Sequence, residues 1–346
     1  MKRSENSMNS NAWAIVLAGG EGTRVRSFLK ELCGGSGLKQ FSTIIGERSM
    51  LHSTLDRVQR LIPADRILIV VDAHHREEVE KQLHHWPRQN IIFQPTNRDT
   101  APGILLPLAH ITDRDPQAMI VVFPSDHFVL DEEGFISAVG IALEDSRANP
   151  GKVVLLGMTP QPGEETEYGY IKVLRRLADG SAGPVAGFVE KPPLSRAKEL
   201  IRQGALWNTM VFAAHNATLW EMVKQTAPVL YHAFRLIQIT LHTGHSERVL
   251  QQVYETISSV NFSTAICQPL ASWLRVLPVV DVGWSDLGTA RSIMRTVQKL
   301  GGFDGLSVRL ERSRMQPATP PLNEFARAAE LDTSFPAACV RSAKLI

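Results

Sequence analysis

The sequence contains few cysteines and almost no excess of either charge. Only 3 of its 346 residues are cysteine, and they are far apart and lack the CxxC or Cys/His spacing of a zinc site. We therefore expect neither a disulfide framework nor a structural zinc site, and scattered thiols are typical of proteins in the reducing cytoplasm. Lysine and arginine total 37 against 35 aspartates and glutamates, which argues against nucleic acid as a partner.

Long apolar runs and internal repeats are also missing from the sequence. No stretch approaches the roughly 18 consecutive apolar residues of a membrane-spanning helix, so the sequence predicts no membrane partner. Residues 1–11 carry charge without an apolar core, and we expect them to be a disordered lead-in rather than a secretory signal.

What the sequence does contain is an alternation of strand and helix patterns through its first half. Short, continuously apolar runs predict buried strands at 12–18, 66–71, 90–93, 118–123 and 152–157. Apolar strands separated by amphipathic stretches predict an α/β fold, with a Rossmann-like, doubly wound, mostly parallel sheet covered on both faces.

The helices between these strands have recognisable faces and caps. One helical face of the stretch 49–62 carries Leu51, Leu55, Val58 and Ile62. Thr100 is expected to cap a helix over 101–111, and a further helix is predicted near 132–146. The two histidine pairs at 74–75 and 84–85 lie in a charge-rich helical stretch, which favours a solvated face over a metal site.

The second half of the chain is less regular. We predict strands at 168–174, 185–191, 207–214 and 273–280, with helices over 195–203 and across 216–257. After residue 301 the pattern weakens into a segment rich in proline and charge. The predicted organisation is therefore one domain over 12–300 and an irregular, degenerate C-terminal tail over 301–346.

A glycine-rich loop, AGGEGTR at 18–24, follows the first predicted strand directly. Its glycines allow a tight turn and bring backbone N–H groups close to a phosphate, and Arg24 adds a planar cation. The loop is not a dinucleotide fingerprint, because Val25 stands where the third glycine is needed. It also lacks the Gly-Lys-Ser/Thr of a Walker A loop, so the pattern alone predicts phosphate binding of another kind.

Six segments together resemble a known enzyme family. AGGEGTR followed by Lys39-Gln40-Phe41 is similar to the signature of the sugar nucleotidyltransferases. The other segments resemble, in order, those of the mannose-1-phosphate guanylyltransferases: FQPTNRDTAPGI (93–104), FPSDH (123–127), FVEKP (188–192), WNTMVF (207–212, their WNSGMF) and GWSDLGT (283–289). The resemblance covers about residues 12–290 and implies a fold of the nucleotide-diphospho-sugar transferase type.

The resemblance implies a reaction in which an oxygen of mannose 1-phosphate attacks the α-phosphorus of GTP and pyrophosphate leaves. Arg24 and Lys39 are the implied catalytic cations, because the two reactants repel each other. The implied nucleotide-binding residues are Leu17, Ala18, Gly19, Gly20, Gly22, Thr23, Asn97, Arg98, Thr100, Ala101, Ser125 and Asp126. The implied sugar-binding residues are Gly169, Tyr170, Glu190, Lys191 and Asn208.

A divalent cation, Mg²⁺, is the implied cofactor. Asp126 follows a predicted strand end, where a carboxylate can meet phosphate-bound metal. Asp286 is the second ligand by resemblance, and Asp281 remains a rival. His127 is expected to pack beside the site rather than to bind the metal, and Trp207 and Phe212 are expected in the core.

Several features leave alternatives open. Fourteen residues separate Arg24 from Lys39, without the proline that usually precedes the lysine, and Asp99 replaces the asparagine of RNTAP. Ser263 and Thr264 stand where the family has Asp-Tyr. The same reaction with another hexose 1-phosphate or nucleoside triphosphate is one alternative, and a catalytically idle nucleotide-sugar-binding regulator is another. The oligomeric state, including a homo-oligomer, stays open.

Overall fold

A nine-stranded sheet runs through the chain in this computed structural model, which describes residues 11–175 and 180–300. The predicted lead-in, apart from Asn11, and the predicted tail lie outside the described residues. The strands are β1 (Ala12–Leu17), β2 (Ile67–Asp72), β3 (Ile91–Gln94), β4 (Met119–Pro124), β5 (Val153–Met158), β6 (Tyr170–Val173), β7 (Gly183–Val189), β8 (Leu206–His215) and β9 (Leu274–Val279).

The sheet is mixed, with four parallel and five antiparallel strand pairings. Its order is β3-β2-β1-β4-β8-β5-β9-β7-β6. Strands β1 to β4 pair in parallel with one another, as do β5 and β9, whereas β8 is antiparallel to both β4 and β5. Only β7 and β8 run against the other seven strands. The predicted α/β class is confirmed, and the insertion of β8 between β4 and β5 is what the apolar pattern did not reveal.

Ten α-helices lie in the described ranges. They are α1 (Arg26–Cys33), α2 (Met50–Gln59), α3 (Arg76–Gln82), α4 (Thr100–Arg114), α5 (Glu132–Ala148), α6 (Leu194–Arg202), α7 (Asn216–Thr226), α8 (Pro228–Thr240), α9 (Ser246–Thr256) and α10 (Ala290–Lys299). None of these helices is long and apolar enough to cross a bilayer.

Side chains alternate between the two faces of each buried strand, so an apolar core lies on each face of the sheet. Along β1, Ala14 and Val16 face the core beneath α2 and α5, whereas Trp13 and Ile15 face the core beneath α4 and α7. Because both faces are covered, the strands are apolar throughout rather than alternating. The four residues predicted to share a face of the 49–62 stretch are all buried, and Ser49 caps α2 by accepting from the His52 N–H.

The cap of α4 differs from the prediction. Asp99, not Thr100, is the N-cap residue, and its carboxylate accepts from the Thr100 N–H. The Thr100 hydroxyl instead accepts from the N–H of Phe262 at 2.8 Å. The segment after α9 is thereby fixed to the start of α4, which brings residues far apart in sequence to one wall.

Helix α1 was not predicted, and it lies within the long segment between Arg24 and Lys39. Its residues Leu29 and Leu32 pack with Ile293 and Val297 of α10 in a small third apolar cluster. The extra length of this segment is therefore a packed helix, and the chain turns back through Gly37 toward Lys39 with a left-handed φ of 68°.

Candidate active site

A cleft of about 400 Å³ opens at the carboxyl ends of β1 to β4, where open parallel sheets bind ligands. Residues just before β6, just after β7 and in the first half of β8 form its opposite wall. Fourteen of the residues predicted for the site line it: Leu17, Gly19, Gly20, Gly22, Arg24, Asn97, Thr100, Ser125, Asp126, Gly169, Glu190, Lys191, Asn208 and Asp286.

Hydrogen bonds from side-chain amides to its carbonyl oxygens hold the glycine-rich loop in place. Gln40 donates from Nε2 to the carbonyl oxygens of Ala18 and Gly20, both at 2.9 Å, and Asn97 donates to that of Gly19 at 3.1 Å. Within the part of the chain that the structure describes, the N–H groups of Gly20, Glu21 and Gly22 have no acceptor. These N–H groups are therefore available to an anion in the cleft.

A side chain would be crowded or strained at two points of this loop. A Cβ on Gly19 would lie 2.6 Å from Gln94 Nε2, because the loop passes close to the end of β3. Gly22 has a left-handed φ of 57° and lies against Lys39, where a Cβ would come within 3.3 Å of the Lys39 Cβ. The loop therefore packs directly onto the lysine that follows α1.

Lys39 is almost fully buried, and its ammonium lies behind the cleft lining in contact with Asp126 and Asp286. Its Nζ lies 3.0 Å from Asp126 Oδ2 and donates to the main-chain carbonyl oxygen of Asp286. One cation therefore links the end of β4 to the loop that follows β9. Burial opposes ionisation of Asp126, but the charge of Lys39 and the hydrogen bonds from Lys39 and the backbone, with the remaining nearby charge, together outweigh burial and hold the pKa of the Asp126 carboxyl below its usual range.

Asp286 is fixed by a polar network on the other side. Its Oδ1 accepts from the Tyr168 hydroxyl at 2.7 Å and from the Gly288 N–H at 2.9 Å. The same hydroxyl lies 2.9 Å from Glu164, which is paired with Arg295 of α10. Burial raises the pKa of Glu164. This network sets the direction of the Asp286 carboxylate before any ligand arrives.

His127 lines the cleft as a neutral imidazole. Burial lowers its pKa to about 4, and the Trp284 indole N–H donates to its Nδ1 at 3.2 Å. An indole nitrogen can only donate, so Nδ1 must be unprotonated. His127 therefore supports the wall between Asp126 and Trp284.

Arg24 occupies the exposed mouth of the cleft. Its guanidinium is paired with the Glu167 carboxylate, and about half of the Arg24 side chain is exposed. Exposed ion pairs contribute little to stability. Arg24 can consequently exchange Glu167 for a phosphate group without a large free-energy penalty.

The opposite wall carries the predicted sugar residues. Strand β7 ends at Val189, and Lys191 has a left-handed φ of 40°. Neighbouring side chains of a regular strand point to opposite faces, but Glu190 and Lys191 both line the cleft. Gly169 leaves room for Glu190, since a Cβ there would lie 2.4 Å from Glu190 Oε2. Burial raises the pKa of Glu190.

Six residues predicted for the site, and the rival metal ligand Asp281, are outside the cleft lining. Lys39 reaches it only through Asp126 and Asp286, and Asp281, the rival metal ligand, lines a separate pocket. Tyr170 is fully buried, and its hydroxyl donates to the Glu165 carbonyl. Arg98 donates twice to the Tyr254 carbonyl, which holds α9 in place. The other predicted residues outside the lining are Ala18, Thr23 and Ala101.

Several cleft residues had no predicted role. They are Gln40, Gln94, Glu167, Tyr168, Met210 and Asn261. Two of them adjoin residues that were identified, Gln40 beside Lys39 and Tyr168 beside Gly169, so proximity in sequence was an available signal. The others are brought in by tertiary contacts.

The chain is similar in sequence to known nucleotidyl transferases. A family model of nucleotidyl transferases matches residues 13–301. The chain is 29% identical over 299 residues to a xanthan biosynthesis protein of Xanthomonas campestris, covering 84% of this chain and 61% of that protein. It is 30% identical over 288 residues to a mannose-1-phosphate guanylyltransferase of Salmonella muenchen, covering 81% of this chain and 58% of the relative. The chain thus spans about three fifths of these relatives.

A solved structure shares the fold. A Thermus thermophilus protein described as a mannose-1-phosphate geranyltransferase superposes with a TM-score of 0.70 at 30% sequence identity. The match covers 83% of this chain and 79% of that one.

Proposed function

Since the chain belongs to the nucleotidyl transferase family, we propose that it transfers GMP from GTP to mannose 1-phosphate, giving GDP-mannose and pyrophosphate. The observation that carries this proposal is the position of Lys39 between Asp126 and Asp286, next to the glycine-rich loop. This arrangement provides two carboxylates and unpaired N–H groups in one cleft, with a buried cation in contact with Asp126 and Asp286.

The nucleotide end of the site is the glycine-rich loop. Its unpaired N–H groups bind the β- and γ-phosphates, and Arg24 turns from Glu167 toward them. Lys39 neutralises charge near the α-phosphate. An oxygen of the sugar phosphate then attacks the α-phosphorus, the bond to the bridging oxygen of the β-phosphate breaks, and pyrophosphate leaves with that electron pair. Because both reactants are anions, neutralisation and alignment are the chain's main contribution.

Asp126 and Asp286 fit Mg²⁺. The described residues contain no cluster of three or more His, Cys, Asp or Glu side chains able to hold a metal, but Mg²⁺ needs only one or two carboxylates together with phosphate oxygens and waters. Both aspartates line the cleft, and Asp286 Oδ2 has no donor within the described ranges. Bound there, the ion would neutralise charge on the α-phosphate.

The sugar end is formed by Glu190, Lys191, Asn208 and the backbone at Gly169. A carboxylate can accept from two hydroxyls, and the Lys191 ammonium can reach the sugar phosphate. The Asn208 amide already binds Ser263 and the Met210 N–H, but one hydrogen and further lone pairs remain for a hydroxyl. We also propose a cytoplasmic location, which the three scattered cysteines of the sequence support.

A pyrophosphate-release screen over nucleoside triphosphates and hexose 1-phosphates with Mg²⁺ tests the proposal. GTP with mannose 1-phosphate is expected to be the best pair. A preference for UTP or dTTP with glucose 1-phosphate would replace the substrates but keep the reaction. No turnover with any pair, by folded protein that binds a nucleotide-sugar, would favour the regulator.

Glu190→Gln is expected to raise the KM for mannose 1-phosphate about ten- to a hundredfold, because charge-assisted hydrogen bonds contribute about 1.5–3 kcal/mol each. The KM for GTP should change much less. Initial rates with each substrate varied in turn measure the two constants. Glu199→Gln, on the exposed face of α6, is the control. Equal weakening of both substrates would instead assign Glu190 a structural role.

A further inference from the structure

Met210 holds an unusual backbone conformation in the middle of β8. Its φ is 59°, in the left-handed region that favours glycine because the Cβ of an L-residue crowds the following carbonyl oxygen. The family segment WNSGMF, which residues 207–212 resemble, has glycine at this position. Strain of this kind persists only where the surroundings hold it, and it is concentrated at ligand sites.

Irregular strand pairing and a small hydrogen-bond network hold Met210 in place. The register between β5 and β8 shifts at this point, and the Thr209 hydroxyl donates to the Leu156 carbonyl at 2.9 Å. Asn208 accepts from the Met210 N–H at 3.1 Å and donates to the Ser263 hydroxyl at 3.2 Å. That hydroxyl in turn donates to the Met210 sulfur at 3.0 Å. The backbone and the side chain of Met210 are therefore both fixed.

The fixed side chain lies at the sugar end of the cleft. Met210 lines the same cleft as Glu190 and Gly169, and its neighbour Asn208 donates its N–H to the Gly169 carbonyl at 2.8 Å. A glycine here would leave open space beside the hydroxyl-binding groups. The thioether fills that space with an apolar group that offers no hydrogen-bond donor.

We propose that Met210 restricts the acceptor to hexose 1-phosphates without a bulky ring substituent such as an acetamido group, an inference that rests on the proposed function. Selectivity by exclusion needs a fixed obstacle rather than an added attraction. Ser263 supplies the fixation, because it binds the sulfur. The strain at φ 59° is then the cost of placing a side chain where the fold favours glycine.

The test compares mannose 1-phosphate with N-acetylmannosamine 1-phosphate, which differs by one acetamido group. In Met210→Gly and Met210→Ala, the kcat/KM ratio of the acetamido sugar to mannose 1-phosphate should rise roughly tenfold or more, the usual effect of relieving a steric restriction. Met210→Leu keeps the bulk and should keep the wild-type ratio. An unchanged ratio in the glycine and alanine variants would overturn the proposal.

Thermal unfolding supplies a second readout. Both small variants lose the thioether, but only glycine removes the left-handed strain, so Met210→Gly should melt roughly 2–4 °C above Met210→Ala. The reverse order would show that the position is not strained and contradict the proposal. If the wild type turns over no substrate pair, the proposed function is wrong, but the proposal for Met210 can still be tested. Calorimetry then measures the affinities of the two sugar phosphates for wild type and variants, and these affinities decide whether Met210 restricts the subsite.

Discussion

Replacement of Lys39 by methionine is expected to lower kcat/KM with GTP and mannose 1-phosphate on the order of 10²–10³-fold, the usual effect of removing one preorganised electrostatic group. The ammonium is the buried cation next to Asp126 and the glycine-rich loop, and methionine keeps its length without its charge. Steady-state rates at saturating Mg²⁺ measure the loss. Lys30→Gln, an exposed lysine on α1, is the matched control and should retain activity.

The same replacement also leaves Asp126 without its partner, so stability must be separated from catalysis. Breaking a buried ion pair on one side costs about 3–5 kcal/mol, and the loss here should be smaller because one third of the Asp126 side chain is exposed. Adding Asp126→Asn to Lys39→Met should recover part of the free energy of unfolding but none of the activity. Activity within about tenfold of wild type in Lys39→Met alone would contradict the phosphate role.

Asparagine substitutions at Asp126 and Asp286 should each lower activity on the order of 10²–10³-fold and raise the Mg²⁺ concentration needed for half-maximal rate. Each change removes a full negative charge from the proposed metal site while keeping the side chain's shape. Titration of Mg²⁺ against initial rate measures both effects.

Asp281→Asn serves as the control for the metal site. Asp281 lies outside the cleft lining and should keep the wild-type metal dependence. Loss of metal dependence in Asp281→Asn, with Asp286→Asn unaffected, would show that the second ligand had been misassigned.

Local patterns predicted the parts of the fold that depend on apolar periodicity. The strand β1 and the helix α2 follow directly from runs such as AWAIVL and the spacing of Leu51, Leu55 and Val58, because burying these residues is what forms the element. The direction of a strand cannot be predicted in this way, because the spacing of apolar residues does not depend on which strands pair. The antiparallel insertion of β8 between β4 and β5 could therefore not be predicted from the sequence.

Some parts of the site could likewise be predicted from local patterns and others could not. The glycine-rich loop and Asp126 could be predicted because each follows a strand end. The cap at Asp99 and the hydrogen bonds from Gln40 to the loop carbonyls could not, since they depend on contacts between distant segments. A sequence motif also does not show which of its residues face the ligand. Gly169 lines the cleft, whereas the side chain of its neighbour Tyr170 lies in the core.

The path of the α-phosphorus tests the central claim most directly. The purified chain is incubated with Mg²⁺, mannose 1-phosphate and GTP labelled with ³²P at the α-position, and the products are separated by chromatography. We predict that the label moves into GDP-mannose only when the sugar phosphate is present, with one unlabelled pyrophosphate released for each molecule formed. Label that appears as GMP or GDP regardless of the sugar phosphate, or that stays in GTP, would contradict the account.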